Sequence, residues 1–152
     1  LVLVAGFVFI AANAENQDVA MRAVTKRFMA RDAMITSFEA LRPEDTLETA
    51  SAAVIRTTQH EFPVLDATGR PLGFVTRGDL FAALAAETPR MKAVSMLMTN
   101  DIPSVPLTAG LETVLDALHK GAPAVVVTTK TGALAGYITS ENIGEMMVVK
   151  GR

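Results

Sequence analysis

"GFVTRGDL", Gly73 to Leu80, and "GYITSENI", Gly136 to Ile143, are two versions of one sentence. In each, a glycine opens an apolar run that ends in threonine, and Asp79 or Asn142 follows three residues after that threonine. Threonine is a good helix N-cap, and an acidic residue three positions on forms a capping box, although Glu or Gln is the usual partner. Each stretch is therefore predicted to be the end of a strand that runs directly into a helix. The 63-residue step from Thr76 to Thr139 points to an internal duplication.

Working outward, the duplication extends in both directions. With Met34 set against Met98, an offset of 64, Leu47, Ala50, Ser51 and Val54 fall on Leu111, Val114, Leu115 and Leu118. Steps of 0, 3, 4 and 7 describe one buried helical face. "PEDTLE" predicts Asp45 as N-cap of the first of these helices, with Glu48 completing a capping box. Its counterpart has Ala109 at the aligned position, so that cap is expected to shift to Thr108. The strands "FPVLD" (Phe62–Asp66) and "VVVTT" (Val125–Thr129) follow at an offset of 63. Next come turns with Gly69 above Gly132, where a positive φ suits glycine. Each copy thus reads strand, helix, strand, strand, helix, an α/β (α+β) unit. Neither copy is long enough to cover its own sheet, so the two should pack together as a pseudo-two-fold pair.

Composition narrows the function. In 152 residues, 50% hydrophobic and 20% charged, the chain has the balance of a globular protein. Fourteen basic against sixteen acidic residues leave a net charge of −2, which gives no reason to expect a nucleic-acid partner. There is no cysteine, and the two histidines, His60 and His119, lie in no zinc-hydrolase motif. No nucleophile, base and orienting group stand together, and no metal site is expected, so the chain reads as a non-enzyme.

The duplicated motifs, with Met34 and "FPVLDATGRPLGFVTRGDL", resemble the CBS (cystathionine-beta-synthase) domain, and the pair resembles the tandem called a Bateman module. The resemblance covers roughly Arg31 to Val149, as repeats at 31–88 and 89–152. It implies two repeats facing each other through their sheets, a homodimer, and clefts that bind an adenine nucleotide (AMP, ADP or ATP) to regulate an attached protein. The ribose role carries onto Thr76 and Asp79: a carboxylate accepts two hydroxyls, the helix N-terminus suits a phosphate, and Arg77 supplies a cation. By the same resemblance the base would lie against Met34, Ile35, Thr36, His60, Phe62 and Pro63. In the second copy Asn142 replaces the aspartate and Glu141 opposes a phosphate, so Thr139 and Asn142 would form a weaker site. The competing reading keeps Thr-x-x-Asp as a helix cap only, in a ligand-free dimerisation or interaction module.

Residues 1–30 are expected to form an N-terminal helix. "LVLVAGFVFIAA" (Leu1–Ala12) carries no charge but falls short of the roughly twenty residues of a membrane span. It reads as the end of a longer apolar membrane helix, or else as a buried or dimer-packing helix. "FVFIAANAENQ" resembles the end of the membrane part of site-2-type zinc metalloproteases, some of which carry a CBS pair. That resemblance implies a cytoplasmic domain of a membrane protein, tethered through its N-terminal side. Zinc would then belong to a protease domain upstream, with no cofactor in this chain.

Overall fold

The computed structural model describes residue 23 and residues 25–150. The expected membrane-helix end at 1–12, and most of the expected N-terminal helix at 1–30, lie outside the described residues. Among the described residues, no helix is long and apolar enough to cross a membrane. The first repeat holds α1 (Ala30–Ala33), α2 (Leu47–Arg56), β1 (Glu61–Leu65), β2 (Pro71–Thr76) and α3 (Arg77–Ala85). After a 3-10 turn at Val94–Met96, the second holds β3 (Ser104–Pro106), α4 (Leu111–His119), β4 (Val125–Thr128), β5 (Leu134–Ile138) and α5 (Ser140–Lys150).

The sheets are small. β1 and β2 pair antiparallel, while β3 runs parallel to β4, which pairs antiparallel with β5. The first repeat's counterpart of β3 shrinks to one parallel bridge, Leu41 to Val64. The helical faces read from the sequence are buried at Leu47, Ala50 and Val54 in α2 and at Leu111, Val114, Leu115 and Leu118 in α4. Ser51 of the α2 face is only half-buried, its hydroxyl donating to the Leu47 carbonyl at 2.7 Å. Glycine does what the turns require, with φ of 85° at Gly69 and 86° at Gly132.

The feature that positions the site is an exchange of leading segments. Ile35, from the run before the first repeat's helix, pairs with Tyr137 in β5 of the second. Ile35 N–H donates to the Tyr137 carbonyl at 2.8 Å, and Tyr137 N–H returns a bond at 3.2 Å. The mirror arrangement joins Phe74 in β2 to Thr99, at 2.9 and 2.8 Å. Two glycines inside strands admit these crossings, because a Cβ on Gly136 would stand 2.6 Å from the Ile35 oxygen, and one on Gly73 2.5 Å from the Thr99 oxygen. Cores follow the exchange: Ala30 and Ala33 pack with the second repeat's α4 and α5 residues, and Val94 with the first repeat's. A third cluster, Phe74, Ala124, Val126 and Tyr137, joins the faces of the two sheets. There the Phe74 and Tyr137 rings meet edge-on at 5.5 Å.

The exchange also corrects the expected caps. Helix α2 starts at Leu47 with Thr46 as its N-cap, and Asp45 instead accepts the Arg42 N–H at 2.8 Å. Helix α4 begins after Gly110, which caps without a side chain, and not at Thr108. The reason lies in where the first-turn N–H groups go. Leu47 and Glu48 donate to the carbonyls of Lys92 and Arg90, and Leu111 donates to that of Phe28. Backbone from the other repeat's leading segment shares the capping of α2 with the Thr46 hydroxyl, which accepts the Thr49 N–H at 3.2 Å, and stands in for a side chain at α4.

Candidate functional site

One cleft opens where the first repeat's leading segment meets the Thr-x-x-Asn of the second, and another opens within the second repeat beside its own leading run. The first, of about 230 Å³, is lined by Ile35, His60 and Glu61 of the first repeat and Thr139, Glu141 and Asn142 of the second. The duplication maps these onto Thr99, Pro123, Ala124, Thr76, Gly78 and Asp79. Thr99 and Pro123 line the other, roomier cleft of about 740 Å³, together with Asp101, Asp116 and Lys120. Thr99 is bonded to Phe74, two residues before Thr76, so the leading run of the second repeat lies beside the cap of α3. Among the described residues no group of three His, Asp or Glu side chains is placed to hold a metal.

Both motifs form the reciprocal cap their spacing predicts. Thr76 Oγ1 accepts the Asp79 N–H at 3.0 Å, and Asp79 Oδ2 accepts the Thr76 N–H at 3.2 Å. Thr139 and Asn142 repeat this at 3.2 and 3.1 Å. The remaining atom separates them. Asn142 Nδ2 donates to the Ala33 carbonyl at 2.7 Å, across to the first repeat's leading segment. A carboxylate has no proton to donate there, and Asp79 Oδ1 accepts no hydrogen bond among the described residues.

The clefts also differ in charge. Glu61, Glu141 and Glu145 line the smaller one without a lysine or arginine among its walls. Burial pushes the Glu61 carboxyl up, His60 opposes that shift, and Glu141 adds to it. Burial, then the Glu61 carboxylate, pushes the Tyr137 phenol up to about 12. The phenol stays protonated and donates to the Glu61 carbonyl oxygen at 3.4 Å.

The structure redistributes the residues singled out in the sequence. Ile35 and His60 stand with Thr139 and Asn142, not with the threonine and aspartate of their own repeat. The exchange of leading segments is the cause. His60 keeps one link to the other motif, its carbonyl accepting the Arg77 N–H at 2.7 Å. Met34 packs its sulfur against Gly136, and Thr36 is exposed outside the cleft lining. Phe62 and Pro63 are buried, Phe62 in the first repeat's core, so they form no cleft wall. The Arg77 guanidinium lies 5.4 Å over the ring of Phe81, drawn by a cation–π contact along its own helix. Tyr137, Glu61, Thr99 and Pro123 escaped the sequence reading. The repeat offset held the signal, since it carries Ile35 to Thr99 and His60 to Pro123.

A duplicated α/β unit with exchanged leading segments and a reciprocally capped helix in each copy defines a paired module. The CBS domain family model matches residues 30–86 and 94–147, and the chain belongs to that family. No curated protein matches it in sequence. Solved structures share the fold. A CBS domain-containing protein of unknown function from Bacillus anthracis matches with a TM-score of 0.71 at 20% identity, over 82% of this chain and 96% of that one. CBSX2, solved in complex with AMP, matches at 0.70 and 22% identity, over 82% and 99%. The CBS pair of MJ0100, solved with 5′-methylthioadenosine and S-adenosyl-L-methionine, matches at 0.71 and 20%, over 81% and 98%.

Proposed function

We propose that this CBS pair is a regulatory module that binds an adenine nucleotide at the cap of α3, through Thr76 and Asp79. The observation that carries the reading is the unspent oxygen of Asp79: after capping α3, its Oδ1 remains open to accept a ribose hydroxyl. Helix α3 presents its N-terminus beside it, which favours a phosphate, and Arg77, now over the Phe81 ring, is a cation in that same first turn. The adenosine ligands in the structures of CBSX2 and MJ0100 support the same class of ligand. The module itself has no catalytic role in this reading.

What it regulates is read from the N-terminal stretch alone. The uncharged run Leu1–Ala12 and the following "NAENQ" support attachment to a site-2-type membrane zinc metalloprotease, with this chain on the cytoplasmic side. A second reading, a ligand-free homodimerisation module, is favoured by the apolar surface of α2 and α3, where Ile55 is 87% and Phe81 50% exposed. One titration separates the two. Thermal unfolding is followed with AMP, ADP, ATP and S-adenosylmethionine, for the chain and for Asp79→Ala. At a hundred times its dissociation constant a ligand adds about 2.7 kcal/mol of stability. A saturable rise lost in Asp79→Ala is expected; no rise with any of the four sinks the sensor reading in favour of dimerisation.

A further inference from the structure

We propose that Asn142 is a latch: by donating to the Ala33 carbonyl it holds the first repeat's leading segment against α5 and closes the smaller cleft to a ribose. The inference about ribose rests on the reading of Asp79 above; the latch itself stands on geometry alone.

The two caps are the same device with one atom changed. In each, one side-chain oxygen is taken by the N–H of the capping threonine. Asp79 then has an acceptor left over, whereas Asn142 has a donor. A carbonyl at the end of α1 needs a donor, because the last carbonyls of a helix have no partner within it. Asn142 Nδ2 meets that need at 2.7 Å, 109 positions away in the chain. Both bonds fix the orientation of the amide, since neither could form with oxygen and nitrogen exchanged.

The consequences reach further than one hydrogen bond. Ala33 is buried, and two residues on, Ile35 is paired with Tyr137. The latch therefore sits at the base of the segment that closes the two repeats together. A ribose diol entering this cleft meets an amide whose two polar atoms are already bonded, at the position where Asp79 offers an open oxygen. The carboxylates of Glu61, Glu141 and Glu145 line the same cleft and repel a phosphate. What a carboxylate at position 142 would admit is an uncharged nucleoside, not a nucleotide.

Asn142→Asp replaces the donor with an oxygen facing the Ala33 oxygen, and Asn142→Ala removes the donor without adding charge. In both, amide hydrogen exchange at Met34 and Ile35 should quicken about tenfold in the ligand-free chain, the worth of one hydrogen bond. Calorimetry with adenosine tests the second half: Asp79→Ala should bind none, and Asp79→Ala/Asn142→Asp should gain one site. Unchanged exchange in both single variants overturns the latch. Loosened exchange with no adenosine heat in the double variant overturns its role in selecting the ligand. If the amides loosen but the wild-type chain binds no AMP, the nucleotide reading fails and the latch stands.

Discussion

Replacing Gly136 by alanine tests the exchange of leading segments at its tightest point. The added Cβ would lie 2.6 Å from the Ile35 carbonyl oxygen, 2.9 Å from the Met34 sulfur and 3.0 Å from Met34 Cγ. The thioether can swing aside, but the Ile35 carbonyl is held by the Tyr137 N–H. Relieving the overlap means moving backbone by roughly half an ångström, which strains or breaks the two bonds between Ile35 and Tyr137. At about 1 kcal/mol for each bond, plus some loss of packing at Ile35, the expected cost is about 2–3 kcal/mol. For a domain of this size that lowers Tm by about 6–9 °C. Gly144, in α5, is the control: a Cβ there meets nothing within 4 Å. Gly144→Ala should stabilise by about 0.5–1 kcal/mol through helix propensity alone. Both are read from urea and thermal unfolding monitored by circular dichroism. A Gly136→Ala chain as stable as the wild type would refute the crossing of the two repeats at this strand.

Two further predictions concern pH. Glu61 has its carboxyl held above the ordinary 4.5 by burial. A carboxyl raised in the folded state costs stability once ionised, so Glu61→Gln should raise Tm at neutral pH, and the gain should vanish below about pH 4.5. Asp66 behaves oppositely. Its Oδ1 accepts from the Thr68 hydroxyl at 2.6 Å and from the Thr68 and Arg70 N–H groups at 2.8 and 3.0 Å. The Thr68 hydroxyl above all, with the Arg70 N–H, lowers its carboxyl below 3.8. Its contribution is complete above pH 3.8 and is lost as pH falls through the lowered value. The stability gap between wild type and Asp66→Asn should therefore be open at pH 6 and close in stronger acid, as followed by unfolding at a series of pH values.

Much of the repeat is legible in the sequence, for local reasons. A helical face at steps of 0, 3, 4 and 7 has one way to be buried, and α5 runs from Ser140 to Lys150 as its motif required. The expected caps fall one residue early at α2, where the Thr46 hydroxyl and not Asp45 accepts the Thr49 N–H, and two residues early at α4, where no side chain caps. Here carbonyls from a distant segment satisfy the first-turn N–H groups, and no local pattern encodes a partner more than forty residues away. The grouping of site residues failed for the same reason. Ile35 and Thr76 belong to one repeat in sequence, but the bond from Ile35 to Tyr137 carries Ile35 to the other motif. One sign of this was present: glycine in the middle of an apolar strand, at positions 73 and 136, marks a close approach of backbone.

Duplication followed by exchange has a mechanical consequence for a sensor of this kind. The smaller cleft takes its walls from both repeats, so a ligand bound there touches the leading segment of one and the capped helix of the other. It can shift the seating of the segments only by the difference in its affinity for the two seatings. On the side of Asp79 the neighbouring segment is held by the Phe74–Thr99 pair, by backbone bonds that join Leu47 to Lys92, Glu48 to Arg90, Val94 to Asp45 and Ser95 to Pro43, and by apolar packing, but not by the motif's own side chain. On the side of Asn142 an extra hydrogen bond must be broken first. The replacement of a carboxylate by an amide thus gives two near-identical halves one unequal tie, a bond from motif to leading segment that is present at Asn142 and absent at Asp79.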